Sequence, residues 1–154
     1  MRDFNETDKK KKKARIQIQE NPANLSKEEL LRLEDKVKAS LKDGYISCPV
    51  AWRIAKEENV PKIAVGEITD RLSIRIDNCQ IGFFKVEKTP YDDSDHKSIG
   101  SEIITVLETL VGNNELTCAK IFDLARQFKL KPMVVANEAN ARDLKIHSCQ
   151  LGCF

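Results

Sequence analysis

Shifted by 70 residues, the sequence falls on itself. Cys48 lands on Cys118, Ala55 on Ala125, Val65 on Val135 and Ile76 on Ile146. Cys79, Gln80, Gly82 and Phe84 land on Cys149, Gln150, Gly152 and Phe154. These are 8 identities in 37 ungapped positions, and the apolar positions between them agree in kind: Trp52 with Phe122, Ile54 with Leu124, Val60 with Leu130, Ile63 with Met133, Ile74 with Leu144 and Ile81 with Leu151. Upstream, Val37 matches Leu107 and Leu41 matches Val111. One register held over so many core positions is a duplication. It confines the 154 residues to two copies of a module of roughly 55 to 60 residues, which leaves no room for the core of a large single-domain enzyme.

Each copy reads as three helices followed by a short β element. In the first, Ser26-x-x-Glu29 is a capping box with Leu25 and Leu30 placed as a hydrophobic staple. Leu30, Leu33, Val37 and Leu41 then recur at helical spacing up to Asp43-Gly44, where glycine accepts a left-handed cap. Ser47 is a good N-cap for a second helix with Pro49 in its first turn, and Val50, Ile54 and Ala55 point inward. Asn59 ends that helix and a third begins near Pro61. The second copy repeats the plan with Ile103, Ile104, Leu107 and Val111, then Thr117 as the second cap. Thr89-Pro90 and the acidic cluster Asp92, Asp93 and Asp95 read as a linker. The expected organisation is a basic tail over 1–25, a repeat over 26–86, a linker over 87–97 and a repeat over 98–154.

At these residues the chain resembles the helix-turn-helix proteins of the winged-helix type. Ala55 and Ala125 are small enough on the second helix for the third to approach closely, and the turn four residues later needs a residue that tolerates positive φ, here Asn59 and Lys129. Val60 and Val65, and Leu130 and Val135, wedge the two helices together. Ile68 continues that pattern in the first copy; the second departs from it with Glu138. Ile74-Arg75-Ile76 and Leu144-Lys145-Ile146 alternate as short strands, and the Cys-Gln-(Ile/Leu)-Gly segments would start the wings. The resemblance spans about 115 of the 154 residues and implies a mainly α fold with short β wings, two tandem winged-helix repeats. It also implies DNA binding in a small cytoplasmic transcriptional regulator. Winged helices serve as protein-interaction adaptors too, and that is the alternative.

The distribution of charge bears on the choice. Residues 1–26 carry seven bases and four acids; residues 27–154 carry 19 bases and 20 acids. Basicity therefore sits in the tail, whose run Lys9, Lys10, Lys11, Lys12 and Lys13 reads as a solvated, disordered stretch or as a non-specific phosphate clamp. On the third helix of the first copy the expected outward residues are Lys62, Gly66, Glu67 and Asp70, with Arg71 at the edge. Two carboxylates there oppose a phosphate-lined groove. The second copy offers Lys131, Ala136, Asn137 and Asn140, and asparagine suits bidentate contact with adenine. Arg75 and Lys145 on the strands could add backbone contacts. Solvated or mutually buried helix faces are the other reading of all these positions.

The five cysteines are read as reduced thiols, consistent with a cytoplasmic chain without a secretory leader or an apolar run long enough to span a bilayer. Cys48 and Cys118 fall in the first turns of the second helices, where the helix dipole lowers the pKa of an exposed thiol. Cys118, Cys149 and Cys153, with His147 as a fourth ligand, could form a thiolate metal or redox centre; small buried core residues are the plainer reading. No cofactor is otherwise expected. Gly-rich phosphate loops, His-Glu-x-x-His and nucleophile–histidine constellations are missing from the sequence, so an enzyme is not expected.

Overall fold

The capping box forms as the sequence dictates. In a computed structural model that describes Thr7, Lys10, Lys12, residues 16–84 and residues 99–154, the Ser26 amide donates to Glu29 Oε2 at 2.8 Å and the Glu29 amide donates to Ser26 Oγ at 3.3 Å. Helix α1 (Lys27–Ala39) starts there and buries Leu33 and Val37. It stops four residues short of Asp43-Gly44, because that pair serves a different turn. Asp43 and Gly44 both take positive φ (51° and 80°), and Lys42 and Tyr45 exchange backbone hydrogen bonds across them at 2.8 and 2.9 Å. Asp-Gly in a two-residue turn of this kind reverses the chain rather than capping a helix.

Strand β1 (Tyr45–Ser47) leads directly into α2 (Cys48–Glu57), and α3 (Lys62–Arg71) follows across a turn at Asn59. Asn59 has φ 53°, and Val60 N–H returns to Ala55 C=O at 2.9 Å, so the turn closes over the small residue the sequence placed there. After α3, strand β2 (Arg75–Asp77) pairs with β1 in parallel, Tyr45 opposite Arg75 and Ser47 opposite Asp77. The second copy repeats this with α4 (Ser101–Gly112), α5 (Cys118–Gln127) and α6 (Pro132–Ala141). Its ladder is a single parallel bridge, Thr117 to His147.

The duplication persists in the backbone itself. Positive φ recurs at 70-residue spacing at Gly44 and Asn114, Asn59 and Lys129, Ser73 and Asp143, Asn78 and Ser148, and Gly82 and Gly152. Core positions recur with it: Leu33 and Ile103, Val37 and Leu107, Ile46 and Leu116, Ile54 and Leu124, Val65 and Val135 are all buried. A side chain that accepts φ > 0 is needed at each of those turns, and Asn, Asp and Gly supply most of them.

The division of the chain departs from the expected one. The first compact unit runs to Cys79 and takes in Gln150–Phe154; the second is Gln80–Cys149. Each unit is thus completed by the closing segment of the other copy. No wing is built among the described residues: β1 and β2 are parallel, so the chain leaving β2 runs onward instead of turning back as a hairpin strand. It enters the second unit at Gln80, and the equivalent segment returns to the first unit at Gln150.

In the first unit, residues 16–25 are ordered, which the expected tail boundary did not anticipate. Asn21 holds Leu25 by two hydrogen bonds at 2.8 Å, from its side-chain amide to the Leu25 carbonyl and from the Leu25 amide to Asn21 Oδ1. The expected linker, 87–97, lies outside the described residues. Among the described residues the structure is mainly helical with one small parallel sheet, and no helix there is long and apolar enough to cross a membrane.

Candidate nucleic-acid interface

A helix that reads a groove must keep one face open. In the first unit α3 does not: Ala64, Val65, Gly66, Glu67, Ile68 and Thr69 are all buried. One side faces the core through Val65 and Ile68. The expected outward side lies under the segment 150–154. A Cβ on Gly66 would fall 2.7 Å from the Leu151 carbonyl carbon and 3.1 Å from its Cα, so backbone rests on the bare glycine. Gly66 and Glu67, expected to face outward, are interior: the covering segment lies on Gly66, and Glu67 accepts from Arg71 within α3.

The cations expected to meet phosphate in this unit are engaged within the protein. Lys62 Nζ donates to Gln150 Oε1 at 2.9 Å and stands 4.0 Å from the Trp52 ring centroid. Arg71 bonds Glu34 at 3.2 Å and Glu67 at 3.3 Å, and Arg75 is half-buried in β2. Of the lysine run, Lys12 bonds Asp70 at 2.7 Å with both side chains partly covered, and Lys10 is exposed. Lys9, Lys11 and Lys13 lie outside the described residues. Lys12 is thus a partner of α3 instead of a solvated tail charge.

Further ion pairs fasten α1 to the end of α2 and brace α1 along its own length. Arg32 meets Glu58 at 2.7 Å, Lys36 meets Glu58 at 2.6 Å and Glu57 at 3.0 Å, and Lys38 meets Glu34 at 2.6 Å. The hydrogen bond from Lys36, then that from Arg32, holds the Glu58 carboxyl below its ordinary range. Lys38, and after it Arg71, does the same for Glu34.

The second unit leaves more of its third helix exposed. Lys131, at the N-cap of α6, and Asn140, in its last turn, are exposed, and Asn137 is half-buried. Lys129, Lys131 and Lys145 are exposed, and none is ion-paired to a described residue. Asn140 and Lys145 line an open recess of about 220 Å³ together with Phe83, Asp143, Leu144 and Ile146. Ala136, expected outward, is fully buried. Glu138, the departure from the helix-turn-helix pattern, is buried and accepts from Arg142 Nε at 2.8 Å, so a buried charge is met by an opposite one.

The cysteines are all thiols, with Cys48, Cys79 and Cys118 buried and Cys149 and Cys153 half-buried. Cys149 belongs with Cys118 in the second unit, whereas Cys153 belongs with the first. Among the described residues no three His, Cys, Asp or Glu side chains form a group that could hold a metal ion. His147 is occupied locally, Nδ1 with Ser148 Oγ at 2.8 Å and Nε2 with the Asn114 carbonyl at 3.0 Å.

Sequence reasoning missed the role of the Cys-Gln-(Ile/Leu)-Gly segments. Their signal was present: they are the densest run of identities between the copies, and a small residue, Gly66 or Ala136, stands at matching places on the third helices. No family model, curated protein or solved structure matches the chain.

Proposed function

We propose that the protein is a DNA-binding protein in which the second unit makes the contacts and the first serves as a scaffold. What supports this reading is the contrast between the units. Lys62 and Arg71 are committed to internal partners, while Lys129, Lys131 and Lys145 stand exposed around α6 with Asn137 and Asn140 between them. Lysines at that spacing bind phosphates without sequence information, and the asparagines supply what base readout there is. Regulation of transcription follows from the same reading, with any affinity modest because the groups involved are few.

Fluorescence anisotropy with a labelled duplex tests it. Binding at low salt is expected, and the double variant Lys131→Ala, Lys145→Ala should lower the log–log salt slope by about 2, close to 0.9 for each lost phosphate contact. Lys62→Ala should leave that slope unchanged. Undetectable binding at low salt, or a slope indifferent to Lys131 and Lys145, refutes the proposal. The burial of the middle of α3, Ala64 through Thr69, favours a second reading, a protein-interaction adaptor, and that reading stands if no duplex is bound.

A further inference from the structure

The segments that close the two units are close copies of one another, Cys79-Gln80-Ile81-Gly82-Phe83-Phe84 and Cys149-Gln150-Leu151-Gly152-Cys153-Phe154. Each closes the unit built by the other copy. The seat in the first unit is shaped for its segment in several independent ways. Gly66 is bare where the Leu151 backbone passes. Lys62 bonds the Gln150 side chain. Leu151 is 1% exposed, and Gly152, at φ 70°, lies so close to Ile18 and Ile63 that a Cβ would meet them at 2.5 and 3.2 Å. The seat in the second unit has the same plan, with Gly82 at φ 80° against the Met133 side chain, the residue that matches Ile63.

We propose that the α3 seat accepts the 150–154 segment of a second copy of this chain, so that the protein forms an exchanged dimer beside the closed monomer. The contacts at the seat are non-covalent and come from residues more than 80 positions away in the sequence. The same contacts form whether the segment arrives from its own chain or another. Exchange of an identical element costs little because nothing is lost at the seat. What favours the closed form is that seat and segment belong to one chain, for which the general scale of effective concentration is on the order of millimolar. Exchange therefore grows with protein concentration during refolding and is trapped once the units close.

A complementary pair of full-length variants tests this. Gly66→Val closes the seat and leaves the segment intact; Gly152→Asp spoils the segment and leaves the seat open. Each alone should be monomeric in sedimentation and light scattering. Refolded together at about 1 mM, comparable to the effective concentration of a tether, they should give a one-to-one heterodimer, since only the mixture holds an intact segment and an intact seat. A mixture that stays monomeric while both variants keep native helical circular dichroism overturns the proposal. Should either variant fail to fold, tagged and untagged wild-type chains refolded together decide it. Untagged chain recovered with tagged chain should rise with concentration up to about 1 mM, and none recovered at any concentration overturns the proposal.

Discussion

Replacing Gly66 with alanine sets two effects of opposite sign against each other. In an open helix interior the change stabilises by about 1 kcal/mol, because glycine is the poorer helix former. Here the new methyl meets backbone, the Leu151 carbonyl carbon at 2.7 Å and Cα at 3.1 Å, which no rotamer change relieves. The segment must lift. Exposing Leu151, now 1% exposed, costs about 1.5–3 kcal/mol, and losing the bond from Lys62 to Gln150 costs roughly 1 kcal/mol. Subtracting the helix gain leaves a net destabilisation of about 1.5–3 kcal/mol. For a unit of this size that lowers the melting temperature by roughly 6 to 24 °C. Thermal and urea unfolding followed by circular dichroism measure it, with Ala136→Gly in the second unit as the reverse change. A Gly66→Ala protein that melts higher than wild type would mean the segment does not rest on α3.

Two other outcomes can be read from the same unfolding curves. Asn59 holds φ 53° in the turn between α2 and α3; Asn59→Gly should be close to neutral and Asn59→Ala should destabilise by about 1 kcal/mol, and equal effects would remove the role assigned to that turn. The Glu58 and Glu34 carboxyls are held below their ordinary 4.5, chiefly by Lys36 and Lys38. A depressed folded pKa gives stability that is complete above the unfolded value and lost as pH falls through the folded one. The urea midpoint should therefore hold on acidification to about pH 4.5 and fall below it, less steeply in Glu58→Gln. A midpoint that rises below that pH contradicts the ion-pair assignment.

Much of each unit's interior was legible because it depends on local spacing. The capping box at Ser26 and Glu29, Ala55 beneath the turn, the positive φ at Asn59 and Lys129, and the paired core positions all follow from short-range pattern. Asp43-Gly44 marks a turn in the sequence but not its type, since a glycine after a periodic run suits either a helix cap or a two-residue reversal. What closes over α3 could not be read. Gly66 and Glu67 look like solvent-facing residues in an isolated helical repeat, and for Gly66 it is a segment 84 or more positions downstream that makes it interior. Lys12 looked like a tail charge for the same reason: its acid, Asp70, is 58 residues away.

The exchange of closing segments also explains why identity between the copies is concentrated where it is. A residue that packs only within its own copy can drift with its immediate neighbours, as Ile68 and Glu138 have done, the latter bringing Arg142 to meet its charge. A closing segment is constrained by the seat of the other copy, so it must suit a surface that it does not share its own turns with. Gln-(Ile/Leu)-Gly suits both seats, the aliphatic residue being buried in each and the glycine taking positive φ in each segment, 80° and 70°. Substitution of one glycine therefore weakens the unit made by the opposite copy, an effect at a distance in sequence that requires no distance in space.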